Sequence, residues 1–64
     1  MIVVSNFISV VRGELSLLGL PLNHQPEDRS IRAMYQTRYT IADTVKYFKP
    51  LVKQYETNVN KPLT

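Results

Sequence analysis

Residues 4–21 read Val-Ser-Asn-Phe-Ile-Ser-Val-Val-Arg-Gly-Glu-Leu-Ser-Leu-Leu-Gly-Leu-Pro. Apolar residues recur along this stretch at steps of four and three, which places them on one face of an α-helix: Val4, Ile8, Val11, Leu15 and Leu18. Gly19 can adopt the left-handed conformation that ends a helix, and Pro21 cannot continue the backbone hydrogen bonds. The stretch therefore predicts a first helix over residues 5–18.

A second apolar row lies beside the first, so the apolar face of this helix is unusually wide. This row consists of Val3, Phe7, Val10 and Leu17, and only Glu14 interrupts it. The rest of the surface has small side chains at Ser5, Ser9 and Gly13, which would allow another backbone to approach closely. We expect the wide face to bind a partner through Phe7, Val10, Val11, Leu15 and Leu18. Two alternatives stay open, a helix buried in this chain's own core and a strand over residues 1–4.

Two further helical regions follow the first. Pro26 suits the first position of a helix, and the acids at Glu27 and Asp28 complement the positive end of its dipole. Thr40 resembles the first residue of a capping box that starts the next helix. Pro50 either kinks that helix or divides it. The sequence thus predicts an all-α fold of three helices, or of four if Pro50 divides the third, over residues 5–18, 26–38, 41–49 and 50–56. They form one domain over residues 1–57, with an extended tail over residues 58–64.

The chain has few ways to stabilise so small a fold. It has 64 residues, no cysteine and one histidine. A chain of this length buries only about 60% of the surface that its unfolded form exposes, and neither a disulfide nor an ordinary zinc site can be assembled. We therefore expect a larger protein partner or a homo-oligomer. The lack of thiols fits a reducing, intracellular compartment, where the protein could meet a membrane through its partner.

Basic residues outnumber acidic ones, eight to five, which makes the formal charge +3. We expect five of them to meet acidic groups of the partner: Arg29, Arg32, Lys46, Lys49 and Lys53. An alternative is a small nucleic-acid-binding protein that uses the third helix, where tyrosines interleave with the lysines. A third interpretation is a solvated basic flank whose aliphatic stems shield the apolar stripe.

No constellation of residues indicates catalysis. His24 lies in a proline-flanked loop, with no nucleophile at a spacing that recommends it as a base. Two glycines are too few for a phosphate-binding loop. The sequence therefore predicts a non-enzymatic protein with no catalytic residue, cofactor or metal.

The apolar beginning of the chain raises the question of a membrane. A signal peptide has basic residues before its apolar run, whereas Arg12 and Glu14 follow the run here. A charge near the centre of a spanning helix costs on the order of 2.5–3.5 kcal/mol. We expect no spanning helix, although contact with a membrane interface is compatible with the sequence.

Residues 7–19, Phe-Ile-Ser-Val-Val-Arg-Gly-Glu-Leu-Ser-Leu-Leu-Gly, resemble a segment of the bacterial polyisoprenyl-phosphate sugar-phosphate transferases. In that family the segment typically reads Asn-Val-Leu-Arg-Gly-Glu-Met-Ser-Leu-Val-Gly before Pro-Arg-Pro. Leu20, Pro21 and Leu22 stand in place of Pro-Arg-Pro, and the family's catalytic Asp-Glu pair would precede residue 1. The resemblance covers about a fifth of the chain and implies a non-catalytic remnant with affinity for the membrane interface.

Overall fold

The computed structural model describes residues 2–59, and within that range it is all-α. Helix α1 spans Val4–Leu17, α2 spans Asp28–Gln36 and α3 spans Ile41–Val59, with one turn of 3₁₀-helix at Leu22–His24. The predicted fold class is therefore confirmed. No strand occurs among the described residues, so the alternative of a strand at the start of the chain is not observed over residues 2–4.

The end of α1 follows the prediction closely. Gly19 has a φ of 100°, and its N–H donates to the Ser16 carbonyl at 2.9 Å. The next N–H, of Leu20, donates back to the Leu15 carbonyl at 3.0 Å. This pair of hydrogen bonds is a Schellman motif, in which the residue after the left-handed one packs on the last turn. Leu20 and Leu15 are both buried, so the motif also ties the end of α1 to the core.

Helix α2 is shorter than predicted at both ends. It begins at Asp28, because Glu27 has the extended backbone of an N-cap residue with a ψ of 156°. It ends in a second Schellman motif, in which Arg38 takes the left-handed position with a φ of 70°. The Arg38 N–H donates to the Tyr35 carbonyl, and the Tyr39 N–H donates to the Met34 carbonyl, both at 3.0 Å.

Helix α3 is continuous through Pro50 over 19 residues. The expected alternative of a fourth helix is thus not observed. Proline removes one backbone hydrogen bond, whereas Phe48 and Val52 on either side of it are both buried in the core and hold the two halves in place. The helix also includes residues 58 and 59, which the sequence assigns to an extended tail, and the remainder of that predicted tail lies outside the described residues.

Helix α1 packs against both α2 and α3. The core consists of buried side chains from all three helices and from the segment after α1, namely Phe7, Val11, Leu15, Leu20, Ile31, Phe48 and Val52. The Phe7 ring meets the Tyr35 ring edge-on, with 5.1 Å between centroids. The Tyr35 hydroxyl in turn donates to the Ile2 carbonyl at 2.7 Å, which ties the residues before α1 to α2.

A candidate protein-docking surface

The five predicted anchors on α1 divide into two groups. Phe7, Val11 and Leu15 are at most 2% exposed and form part of the core. We revise their assignment from partner contacts to core residues, because a partner could reach them only by opening the packing of α1 on α2 and α3. Val10 and Leu18 remain accessible, with 40% and 38% of their surface exposed.

A row of apolar side chains covers the outer side of α1. Val10 and Leu17 are seven residues apart, so they lie nearly in line along the helix, and Val3 stands directly before its first residue. Leu17 is 83% exposed, and Val3 is 56% exposed. We call these three residues the outer row. Val3 and Leu17 are absent from the predicted anchors, although both belong to the second apolar row and each is seven residues from Val10.

A groove of about 740 Å³ separates α1 from α3 beside the outer row. We call it the α1/α3 groove, and its lining residues are Glu14, Leu18, Ile41, Ala42, Val45, Lys46 and Lys49. Val10 and Leu17 are neighbours of Glu14 on α1, at helical steps of four and three. The outer row and the groove therefore form one continuous surface.

The predicted basic residues fall on two flanks of the molecule. Lys46, Lys49 and Lys53 share one side of α3, at steps of three and four, and all three are exposed. Arg29 and Arg32 lie on α2, whose Asp28 contacts the side of α1 opposite Glu14. The structure thus groups the three lysines beside the groove and separates both arginines from them.

The interface between α1 and α2 is held by a polar network. Arg12 forms a salt bridge with Asp28 and also donates to the Gln25 side-chain oxygen at 3.2 Å. The Gln25 amide group donates to the Leu20 carbonyl at 2.9 Å and to the Ser16 hydroxyl at 3.0 Å. The hydrogen bond and the positive charge of Arg12 lower the pKa of Asp28 from its ordinary value. We assign this flank a structural role.

Gly13 lies on the exposed side of α1, and a Cβ added there would meet no atom within 4 Å. Glycine inside a helix costs about 0.5–1 kcal/mol relative to alanine, and no side chain among residues 2–59 packs closely enough on Gly13 to require it. The position therefore leaves room for another backbone to approach α1 beside the outer row.

The remaining features concern the histidine, metal sites and membrane-spanning helices. His24 packs on Tyr55, with 4.8 Å between the ring centroids. Among residues 2–59, no three acids or histidines lie together as a metal site would require. No helix in the same range combines the length and the apolar character needed to cross a membrane.

Comparison with known proteins identified no relative of this chain. No protein-family model, no curated protein and no solved structure matches the chain. The resemblance of residues 7–19 to sugar-phosphate transferases stays a prediction, which these comparisons neither support nor contradict.

Proposed function

We propose that this protein is a non-catalytic helical subunit that docks on a larger protein through the outer row and the α1/α3 groove. The observation that carries the proposal is the outer row itself. Val10 and Leu17 on α1, and Val3 directly before it, stay exposed after the chain has packed its own core. A contiguous exposed apolar surface with a polar border is typical of a protein-binding site.

Hydrophobic burial should decide the affinity of this docking. Full burial of a large apolar side chain contributes roughly 1.5–3 kcal/mol, and Leu17 begins 83% exposed. An exposed ion pair contributes about 0–1 kcal/mol. Three or four apolar side chains on one surface therefore outweigh the surrounding charges, which would orient the partner.

Site-specific crosslinking in the cells that make the protein tests this function. A photoreactive residue at Leu17 should crosslink to one larger protein, and the same residue at Arg29, on the opposite flank, should not. Val10→Asp should abolish the Leu17 crosslink while leaving the melting temperature nearly unchanged, because Val10 is outside the core. Equal crosslinking from Leu17 and Arg29, or none from Leu17, would reject the docking function.

Nucleic-acid binding is a second candidate, favoured by the row of three lysines. Lys46, Lys49 and Lys53 border a shallow depression of about 410 Å³ together with Pro50. Binding through phosphates would weaken with salt, with a slope of about −0.9 in log K against log salt for each contact on duplex DNA. A titration of the protein with a DNA duplex at two salt concentrations measures that slope, and undetectable binding at low salt would exclude this candidate.

A further inference from the structure

The floor of the α1/α3 groove is apolar. Ile41 and Val45 contribute half-buried side chains from α3, and Leu18 contributes a partly exposed one from the end of α1. The groove lies between two helices and is open to solvent, so a rod-like segment can lie along it. An amphipathic helix that places its apolar face in such a groove is a common mode of peptide recognition.

One edge of the groove is strongly basic. Lys46 and Lys49 line it, and Lys53 continues the row one turn further along α3. Lys46 and Lys53 are seven residues apart, or about 10.5 Å along the helix axis. Within residues 2–59, none of the three lysines forms a salt bridge. Each ammonium group is thus available to an acidic side chain of an occupant.

The opposite edge has little charge. Glu14 is the one ionisable residue among those that line the α1 side of the groove. Among the lining residues, two lysines, Lys46 and Lys49, stand against one glutamate, Glu14, which leaves an excess of one positive charge around an apolar floor. Electrostatic complementarity then favours an occupant whose acids face α3.

The α1 edge also accepts a helix at short distance. Val10 and Leu17 supply apolar contacts about two helical turns apart. Gly13 lies between them in sequence, and the open space around it removes the side chain that would hold a second backbone away. A helix lying along α1 could therefore contact the outer row and still reach the groove floor.

We infer that the segment which occupies this surface is an acidic amphipathic helix of the partner. Its apolar residues recur at steps of three and four and face the groove floor and the outer row, and its Asp or Glu residues form a row opposite Lys46, Lys49 and Lys53. The inference rests on the proposed docking function and specifies the chemistry of the bound segment.

Two other occupants fit the surface less well. A nucleic acid would place phosphates against an apolar floor and close to Glu14. A second copy of this chain would bring no matching row of acids. Glu27 and Asp28 already form salt bridges with Arg29 and Arg12. Glu14 is the one acid beside the outer row, and Asp43 and Glu56 lie on different sides of α3.

A pair of synthetic peptides tests the inference. Both have leucines at steps of three and four over about five helical turns, and they differ in carrying either glutamates or lysines beside the leucines. Fluorescence anisotropy with the full chain should show that the acidic peptide binds roughly tenfold more tightly, or better, than the basic one. Lys46→Glu/Lys49→Glu should reverse that preference.

The matched control is Arg29→Glu/Arg32→Glu, which changes the net charge equally on the opposite flank and should preserve the preference for the acidic peptide. Equal affinity for both peptides, no binding of the acidic peptide, or insensitivity to the lysine substitutions would overturn the inference. Tighter binding of a single-stranded oligonucleotide, or a dimer in sedimentation that Leu17→Lys dissociates, would overturn it as well. If the Leu17 crosslink forms while the peptide preference is absent, the docking function stands and the acidic helix is rejected.

Discussion

At the residue scale, the two helix-ending positions Gly19 and Arg38 have the same backbone conformation and very different side chains. Each donates its N–H within a Schellman motif, with φ values of 100° and 70° respectively. Glycine adopts this region without steric cost, whereas an L-residue with a Cβ pays roughly 1–2 kcal/mol. Arg38 is therefore a strained position in an otherwise regular connection between α2 and α3.

Replacing Arg38 by glycine should stabilise the protein. The steric cost disappears, and the greater freedom of glycine in the unfolded chain offsets about 0.4–1 kcal/mol of the gain. We expect a net increase of about 0.5–1 kcal/mol in the free energy of unfolding, measured by urea denaturation. Gly19→Ala is the matched control and should lower the same free energy. A loss of stability in Arg38→Gly would mean that the arginine side chain makes a stabilising contact.

The Arg12–Asp28 salt bridge should make stability depend on acid pH. Arg12 favours the ionised form of Asp28 in the folded protein, so the folded pKa lies below the ordinary value of 3.8. As the pH falls, the unfolded state therefore binds protons before the folded state does. The stabilisation by the salt bridge is fully present above the unfolded pKa of Asp28 and is lost as the pH falls through the folded pKa. Asp28→Asn should therefore flatten the stability profile below about pH 4.

A series of urea denaturations between neutral pH and strongly acidic pH measures this profile, and Arg12→Gln should flatten it in the same way because the pair acts as a unit. The carboxyl resonance of Asp28 in NMR gives an independent titration. Parallel profiles for the wild-type protein and Asp28→Asn would contradict the assignment of this salt bridge.

At the element scale, α3 shows how burial overrides a local signal. Proline inside a helix is about 3 kcal/mol less favourable than alanine, yet α3 runs through Pro50 without ending. The ring lies on the exposed side of the helix, while Phe48 and Val52 are buried against α1. The packing of two turns on one core keeps both halves of α3 helical.

Pro50→Ala should therefore stabilise the protein, because it restores the N–H that can donate to the Lys46 carbonyl and replaces a poor helix former. We expect the free energy of unfolding to rise by about 1–3 kcal/mol, with greater helical circular dichroism near the denaturation midpoint. Lys49→Ala, at an exposed neighbouring position, controls for the change to alanine and should alter stability by less than about 0.5 kcal/mol. A fall in stability in Pro50→Ala would mean that the ring makes a contact that the structure does not show.

At the scale of the whole molecule, α1 is the central element, and its two sides have different roles. One side supplies Phe7, Val11 and Leu15 to the core, while the other exposes the outer row. A domain of this length has a total stability on the order of 3–10 kcal/mol. A single large cavity in the core can thus remove most of it.

The two leucines Leu15 and Leu17 separate these roles by the same substitution. Leu15→Ala should lower the free energy of unfolding by about 2–5 kcal/mol, measured by circular dichroism during urea denaturation. Leu17→Ala should change stability by no more than about 0.5 kcal/mol. Similar losses from both substitutions would show that the outer row is buried within the free protein, and the docking surface would then lose its basis.

The spacing of residue types along the sequence was sufficient to predict much of the fold. The steps of four and three along residues 4–18, the glycine and proline after them, and the capping residue Thr40 predict where α1 ends and where α3 begins. The Asp43 N–H does donate to the Thr40 hydroxyl, at 3.1 Å. These signals depend on hydrogen bonds and side-chain directions within a few residues, which is why sequence alone carries them.

The candidate site needed the tertiary structure. Periodicity shows that α1 has a wide apolar face, but it does not say which half of that face meets α2 and α3, because that depends on how helices distant in sequence cross. Phe7 and Val10 look alike in the sequence, and packing alone makes the first a core residue and the second a surface one. For the same reason the sequence predicts that Lys46, Lys49 and Lys53 share one side of a helix. Their separation from Arg29 and Arg32 by the width of α1 depends on the tertiary packing.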